Sequence, residues 1–118
     1  MLFLGYAKCS TSQRAKKFLD SRGVAYEQRD IKENNPTLEE LSRWTERSGL
    51  PLKKWFNTSG QVYKALGLKD KLPHMTREEQ LRLLAGDGML VKRPVLVGEN
   101  FVLAGFRQEE WEERLAER

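Results

Sequence analysis

The fold is decided around Tyr6-Ala7-Lys8-Cys9-Ser10-Thr11-Ser12-Gln13-Arg14, a loop that the sequence pattern places between a strand and a helix. This loop contains the one cysteine of the 118-residue chain. A thiol at the start of a helix lies beside unpaired backbone N–H groups and the positive end of the helix dipole. Both favour the thiolate, which is the nucleophilic form. Lys8 and Arg14 add positive charge, and the same N–H groups can hold an oxyanion.

The three residues after the cysteine carry hydroxyl groups. Ser10, Thr11 and Ser12 can cap the helix or donate hydrogen bonds to the sulfur, and Ser10 has the spacing of a capping box with Gln13. The alternative interpretation is that Cys9 is a small buried hydrophobic residue. The position at the start of a helix favours a reactive Cys9.

The composition is that of one globular domain, since 39% of the residues are hydrophobic and 32% are charged. A single cysteine excludes an internal disulfide and a cysteine-rich zinc site, and the lone histidine, His74, argues against a protein-bound metal. Residues 1–6 are apolar, but they show no basic leader or cleavage pattern and are too short to span a bilayer. We therefore expect a reducing, cytoplasmic setting and no membrane contact.

The net charge of +4 is unevenly distributed along the chain. The whole positive excess falls in residues 1–59, where acidic and basic residues are interleaved. Interleaved charges are typical of a solvated surface, so we expect no direct contact with nucleic acid.

Hydrophobic periodicity predicts a strand, a helix and a second strand at the start of the chain. The apolar residues 2–6 are typical of a central buried strand, and helical spacing runs from Ser12 to a stop at Gly23. Alternation over residues 24–29, before Asp30-Ile31, predicts the second strand. A strand, a crossover helix and a strand form a βαβ unit with parallel strands and a right-handed connection.

The middle of the chain has the pattern of several helices. Capping boxes at Thr37 with Glu40 and at Thr76 with Glu79 begin two of them. A short apolar helix is expected within residues 50–56, and residues 57–60 can cap another. With no linker or repeat in between, we expect these helices to pack on the βαβ unit as an insertion.

The end of the chain returns to strand periodicity. Residues 94–97 and 101–104 flank Gly98-Glu99-Asn100, which is a hairpin signature, and residues 108–117 have the pattern of an amphipathic helix. This element order predicts an α/β fold, a thioredoxin-like four-stranded mixed sheet flanked by helices. We expect residues 1–118 to form one domain with a core of about 1–33 and 89–118 and an inserted helical subdomain of about 34–88.

Four segments carry a resemblance to a known family. They are Tyr6-Ala7-Lys8-Cys9-Ser10-Thr11-Ser12, Leu50-Pro51-Leu52-Lys53-Lys54-Trp55-Phe56-Asn57-Thr58-Ser59-Gly60, Tyr63-Lys64-Ala65-Leu66-Gly67-Leu68 and Lys92-Arg93-Pro94-Val95-Leu96-Val97. With these segments in this order, the chain resembles the arsenate reductase (ArsC) and Spx family over essentially its whole length. It is most similar to the single-cysteine, arsenate-reductase-like members.

The resemblance implies a role for each residue of the site. The Cys9 thiolate would attack the arsenic of arsenate, and Arg93, which precedes a cis-proline at Pro94, would bind the oxyanion. A cis peptide would turn Arg93 towards the cysteine loop, and a guanidinium is a fixed fork for oxyanions. The alternative for Arg93 is a surface cation before an edge strand. Arg107 matches a second arginine of the reductases, with a helix-surface ion pair as its alternative.

One position departs from the reductase pattern. Asn57 stands where the reductases carry a third arginine, so we expect weaker binding of a doubly charged anion, and a helix cap is the alternative role for Asn57. The predicted catalytic residues are Cys9 and Arg93. The predicted substrate-binding residues are Lys8, Ser10, Thr11, Ser12, Asn57, Pro94 and Arg107.

The loop is Cys-x-x-Ser, so an oxidised Cys9 has no internal partner. An external thiol such as glutathione or glutaredoxin must then reduce it, with no bound cofactor and no metal. The predicted function is a thiol-dependent oxidoreductase similar to the glutaredoxin-coupled arsenate reductases, in which Arg93 and Arg107 hold an oxyanion or glutathione. One alternative is an Spx-type regulator that binds RNA polymerase, although the missing internal disulfide counts against it. The other is a glutathione-binding member without arsenate reductase activity.

Overall fold

A four-stranded mixed sheet lies at the centre of the molecule. The computed structural model describes residues 1–116. Its strands are β1 (Leu2–Gly5), β2 (Glu27–Asp30), β3 (Val95–Val97) and β4 (Val102–Ala104), in the spatial order β2-β1-β3-β4. Strand β1 is parallel to β2 and antiparallel to β3, and β3 is antiparallel to β4. The predicted βαβ unit, the hairpin and the thioredoxin-like mixed sheet are confirmed.

Helices cover both faces of this sheet. Within the described residues they are α1 (Ser10–Ser21), α2 (Leu38–Ser48), α3 (Gln61–Ala65), α4 (Leu68–Lys71), α5 (Arg77–Gly86) and α6 (Gln108–Ala116), with short 3-10 segments at Leu52–Trp55, Leu72–His74 and Gly88–Leu90. The predicted end of the last helix at residue 117 lies outside the described residues. Every helix in residues 1–116 is too short or too polar to cross a membrane.

The alternation of side chains along the strands produces two cores. Phe3 and Leu96 pack with Trp111 and with α1 on one face, while Leu4 and Val95 pack with the helices of residues 38–86 on the other. Trp44, Trp55 and Trp111 are all buried in these cores. The division into a core and an inserted subdomain stays a prediction.

Several helix ends follow local sequence rules. Both predicted capping boxes are present, at Thr37 with Glu40 and at Thr76 with Glu79. Helix α1 is followed by Gly23 at φ 65°, where only glycine is unstrained.

Three local predictions are wrong. The capping box of Ser10 with Gln13 is absent, because Cys9 is itself the N-cap of α1 and the Gln13 side chain donates to the Ala7 carbonyl oxygen at 2.6 Å. Strand β2 begins at Glu27, three residues later than predicted. A helix cap by the Asn57 side chain is also absent: residues 57–60 do precede α3 and include its N-cap, but that residue is Gly60 and no side chain caps the helix.

A partly buried ion pair joins the sheet to the first inserted helix. Arg29 of β2 donates to both carboxylate oxygens of Glu40 in α2, at 2.7 and 2.8 Å, and also to the carbonyl oxygens of Asn34 and Asn35. The Arg29 guanidinium is the main cause that lowers the pKa of Glu40 to about 2. The end of β2 is therefore fixed against the start of α2.

Gly88 lies against the backbone that directly follows β2, and this close contact can be tested. A Cβ at Gly88 would lie 1.8 Å from the carbonyl oxygen of Ile31, directly after β2. We expect Gly88→Ala to lower the free energy of unfolding by about 1–3 kcal/mol, because backbone atoms cannot move aside as a flexible side chain can. Urea denaturation followed by circular dichroism measures this change.

Gly86→Ala is the matched control. A Cβ at Gly86, the last residue of α5, would meet nothing within 4 Å. Alanine is the better helix former, so this variant should be as stable as the wild type or up to about 1 kcal/mol more stable. Equal stability of the two variants would contradict the close packing at Gly88.

Candidate active site

Cys9 lies just beyond the end of β1 and forms the N-cap of α1. Its backbone N–H donates to the Tyr6 carbonyl oxygen at 2.9 Å, and its own carbonyl oxygen accepts from the Gln13 N–H at 3.0 Å. The Gln13 side chain, bonded to Ala7, closes the same loop. The thiol is partly exposed, so a reactant can reach it.

Opposing effects set the ionisation of this thiol. Burial raises the pKa of Cys9. The backbone N–H and the hydroxyl of Ser12 lower it, followed by the Arg93 guanidinium and the Thr11 N–H, and the net effect is a pKa below the ordinary value for cysteine. The Cys9 side chain makes no capping hydrogen bond to the start of α1. These contacts are therefore polar interactions with the sulfur rather than short hydrogen bonds. All of them favour the thiolate.

Ser12 is buried and its hydroxyl is bonded to the backbone of Tyr6. The residue is 3% exposed, and its hydroxyl oxygen accepts the Tyr6 N–H at 3.2 Å. The Ser12 oxygen acts as the acceptor for the Tyr6 N–H, so the single hydroxyl proton of Ser12 remains available for donation to the Cys9 sulfur. Ser12 is therefore a support for the thiolate, located beneath the cleft rather than on its wall.

Arg93 approaches the sulfur from the segment before β3. The Arg93–Pro94 peptide bond is cis, as the resemblance implies. The guanidinium donates to the Met89 carbonyl oxygen at 3.3 Å and lies 5.5 Å from the centre of the Tyr6 ring. Its buried Nε has no hydrogen-bond partner in residues 1–116. Strand β3 is an inner strand of the sheet, so the alternative of a cation before an edge strand is wrong.

Tyr6 is a site residue that the sequence analysis missed. Its carbonyl oxygen and N–H hold Cys9 and Ser12, and its ring lies against Arg93 within cation–π distance. An aromatic residue three positions before the cysteine was the available signal, but its contacts depend on Arg93, which is distant in sequence.

The thiol opens into a cleft of about 1230 Å³. Of the predicted residues, Cys9, Thr11, Asn57, Arg93 and Arg107 line this cleft. Four predicted residues do not: Ser12 and Pro94 are buried, while Lys8 and Ser10 are exposed elsewhere. A smaller depression of about 720 Å³ at the other end of β1 does not contain the cysteine.

Six cations from four segments of the chain line the cleft: Arg14, Lys53, Lys54, Lys92, Arg93 and Arg107. Glu110 is the one carboxylate among its described lining residues. The four ion pairs within residues 1–116 include none of these cations, so the ion pair considered for Arg107 is absent from the described structure. Asn57, which stands where the reductases carry a third arginine, lines the same cleft, and the weaker binding of a doubly charged anion stays a prediction.

Backbone pairing brings Lys53, Lys54 and Lys92 together. Phe56 and Val91 form an antiparallel bridge, and the Lys92 N–H donates to the Trp55 carbonyl oxygen at 2.7 Å. This pairing joins the segment around residue 55 to the one before β3. In residues 1–116, no group of three histidine, cysteine, aspartate or glutamate side chains could hold a metal ion.

Comparison with known proteins gives consistent matches over nearly the whole chain. The model of the ArsC family matches residues 4–114. A solved structure from Bacteroides fragilis, provisionally described as an ArsC family related protein, is 59% identical, with a TM-score of 0.93 and coverage of 95% of this chain and 94% of that one. The uncharacterized protein YusI of Bacillus subtilis is 47% identical over 116 residues, which is 98% of each chain.

Other relatives are named either as arsenate reductases or as transcriptional regulators. A solved structure described as a possible arsenate reductase from Streptococcus mutans is 50% identical, with a TM-score of 0.86 and coverage of 94% and 96%. An arsenate reductase of Neisseria meningitidis is 28% identical over 99 residues, 83% of each chain. The global transcriptional regulator Spx 2 of Oceanobacillus iheyensis is 26% identical over 105 residues, 88% of this chain and 76% of that one.

The support of the sulfur by Ser12 can be tested with two serine variants. We expect Ser12→Ala to raise the pKa of Cys9, because the hydroxyl proton no longer interacts with the thiolate. The rate of alkylation by iodoacetamide against pH measures this, and the midpoint should move towards about 8.5, the value for free cysteine. Ser10→Ala removes an exposed hydroxyl one residue from the cysteine and should leave the midpoint in place. Equal midpoints for Ser12→Ala and the wild type would contradict this role.

Proposed function

The chain belongs to the ArsC family, and on that premise we propose that it is a thiol-dependent oxidoreductase with the Cys9 thiolate as its nucleophile. The observation that carries the proposal is the convergence of Ser12, Thr11 and Arg93 on a sulfur that opens into a cationic cleft. A sulfur with a lowered pKa is ionised at neutral pH to a greater degree than an ordinary cysteine. Cations beside it attract an anionic substrate.

The first step is attack on an oxyanion bound in the cleft. For arsenate, the Cys9 sulfur forms a bond to arsenic, and one arsenate oxygen leaves as water after protonation. Arg93 and Arg107 line the cleft and have no carboxylate partner in residues 1–116. One Arg93 N–H donates to the Met89 carbonyl oxygen, and the other terminal N–H groups of the two guanidinium groups can bind the remaining oxygens.

Reduction requires a second thiol from outside the chain, because Cys9 has no cysteine partner. A glutathione thiolate attacks the Cys9 sulfur, the electron pair of the sulfur–arsenic bond passes to arsenic, and arsenite leaves. Two thiols have then been oxidised to the Cys9–glutathione disulfide, and arsenic has gained two electrons. A further thiol, such as that of a glutaredoxin, regenerates Cys9 by disulfide exchange. This cycle requires a reducing compartment such as the cytoplasm.

A non-enzymatic regulator is the second candidate, because Spx 2 is among the relatives of the chain. In this case the protein would bind RNA polymerase through its surface, as the resemblance to Spx implies. Co-purification of the polymerase with a tagged chain, together with an absence of turnover, would favour this candidate over the enzyme.

The proposal predicts different kinetic effects for two site variants. With arsenate, glutathione and glutaredoxin as reactants, Cys9→Ser should abolish arsenite formation, because the nucleophile is lost. Arg93→Ala should raise KM for arsenate roughly tenfold, which corresponds to about 1.4 kcal/mol of lost binding. It should also lower kcat at neutral pH, since the thiolate loses a stabilising cation.

Arg82→Ala is the control, because Arg82 is an exposed arginine of α5 that pairs with Glu78 and does not line the cleft. Its kinetic constants should match those of the wild type. Arsenite formation by Cys9→Ser at the wild-type rate would overturn the role of Cys9. A wild-type protein that is alkylated readily but forms no arsenite would instead identify a glutathione-binding member without arsenate reductase activity.

A further inference from the structure

Three exposed lysines form a charged edge at the mouth of the cleft. We name Lys53, Lys54 and Lys92 the lysine rim. None of them makes an ion pair with another described residue, so their charges are not neutralised by this part of the chain. The mechanism proposed above uses Cys9 and the two arginines, and the lysine rim has no role in it.

The lysine rim rests on fixed backbone. Lys53 and Lys54 lie in the 3-10 segment Leu52–Trp55, which the Trp55–Lys92 hydrogen bond of 2.7 Å ties to the segment before β3. The methylene chain of Lys92 passes over Gly105, where a Cβ would lie 3.0 Å from the Lys92 Cε. Gly105 has φ 81° and no side chain, and this leaves room for Lys92 beside the arginines.

The size of the cleft indicates a large occupant. At about 1230 Å³ it exceeds the usual range of about 300–1,000 Å³ for small-molecule pockets, and a tetrahedral oxyanion would fill a small part of it. The formal charge of its lining also favours an anion, since six cations face one carboxylate. A nucleic acid would meet the charge requirement, but it carries no sulfur with which Cys9 could exchange.

We propose that the lysine rim docks an acidic polypeptide segment whose cysteine exchanges with Cys9. This inference rests on the proposed function, in which Cys9 becomes a disulfide that a second thiol must reduce. The thiolate of the docked segment attacks the outer sulfur of the Cys9 disulfide, a new disulfide forms on the partner side, and the Cys9 thiolate leaves. No other oxidant or reductant is required.

Docking by charge has a measurable signature. Complementary charges raise the rate of association, and salt weakens the effect because the Debye length falls from about 10 Å at 0.1 M to about 3 Å at 1 M. The charge preference of the same surface can be probed with a disulfide carried by a peptide, because Cys9 must approach the peptide sulfur when it attacks that disulfide.

The experiment uses the full chain and three peptides of equal length. Each peptide has one cysteine blocked as a disulfide with thiopyridine, and its flanking residues are acidic, neutral or basic. Attack by Cys9 joins the peptide to the protein and releases thiopyridine, whose absorbance gives the rate. Each rate is divided by the rate with dithiodipyridine, an uncharged disulfide, which corrects for changes in the reactivity of the thiol.

We expect the wild type to prefer the acidic over the neutral peptide roughly tenfold at low salt and to lose most of this preference at about 1 M salt. In the triple variant Lys53→Gln/Lys54→Gln/Lys92→Gln, the preference for the acidic peptide should fall to about twofold or less. Lys32→Gln/Lys69→Gln/Lys71→Gln is the matched control, since it removes the same charge from exposed lysines that do not line the cleft. It should keep the preference of the wild type.

The outcomes separate the two proposals. A Cys9 that does not react with dithiodipyridine would overturn the proposed function. A reactive Cys9 without a preference for the acidic peptide, or with equal losses in both triple variants, would overturn the docking surface alone. A preference for the glutathione–thiopyridine disulfide as large as that for the acidic peptide would assign the lysine rim to a small anionic thiol and overturn the polypeptide partner.

Discussion

The lowered pKa of Cys9 depends on donors that different parts of the fold bring to one sulfur. Ser12 and Thr11 belong to the first turn of α1, whereas Arg93 comes from the segment before β3. Tyr6 links the two, because its backbone holds Cys9 and Ser12 and its ring lies against Arg93. Correct pairing of β1 with β3 is thus a condition for the chemistry as well as for the core.

This arrangement couples ionisation to stability. The pKa of Cys9 is lower in the folded protein than in a free cysteine, so the folded state binds its proton less tightly than the unfolded chain. The resulting stabilisation is fully present above the unfolded pKa of about 8.5 and is lost as the pH falls through the folded pKa. An anion bound at Arg93 and Arg107 would offset repulsion among the cations of the cleft.

Local rules in the sequence were sufficient for most of the fold. Alternation and helical spacing predicted the βαβ unit, the hairpin and both capping boxes, because each depends on residues close in sequence. The start of α1 was harder to predict. Ser10 has the right spacing for a cap, but the turn closed by Tyr6 and Cys9 makes the cysteine the N-cap.

The clustering of cations at the site cannot be predicted from residues that are close in sequence. Lys53 and Lys92 become neighbours only through the bridge of Phe56 with Val91, and their sequence context is that of ordinary surface lysines. The contact of the Tyr6 ring with Arg93 also joins two segments that are distant in sequence. The family resemblance pointed to Arg93 and Arg107, which line the cleft with Cys9, but it gave no indication of the lysines.

The fold lowers the pKa of the Cys9 thiol, and the ultraviolet absorbance of the thiolate tests this most directly. The absorbance is titrated with pH in the native protein and again in urea, with Cys9→Ser as the blank for each. A native midpoint below the midpoint of the unfolded chain is the predicted result. A native midpoint at or above that of the unfolded chain would contradict the account.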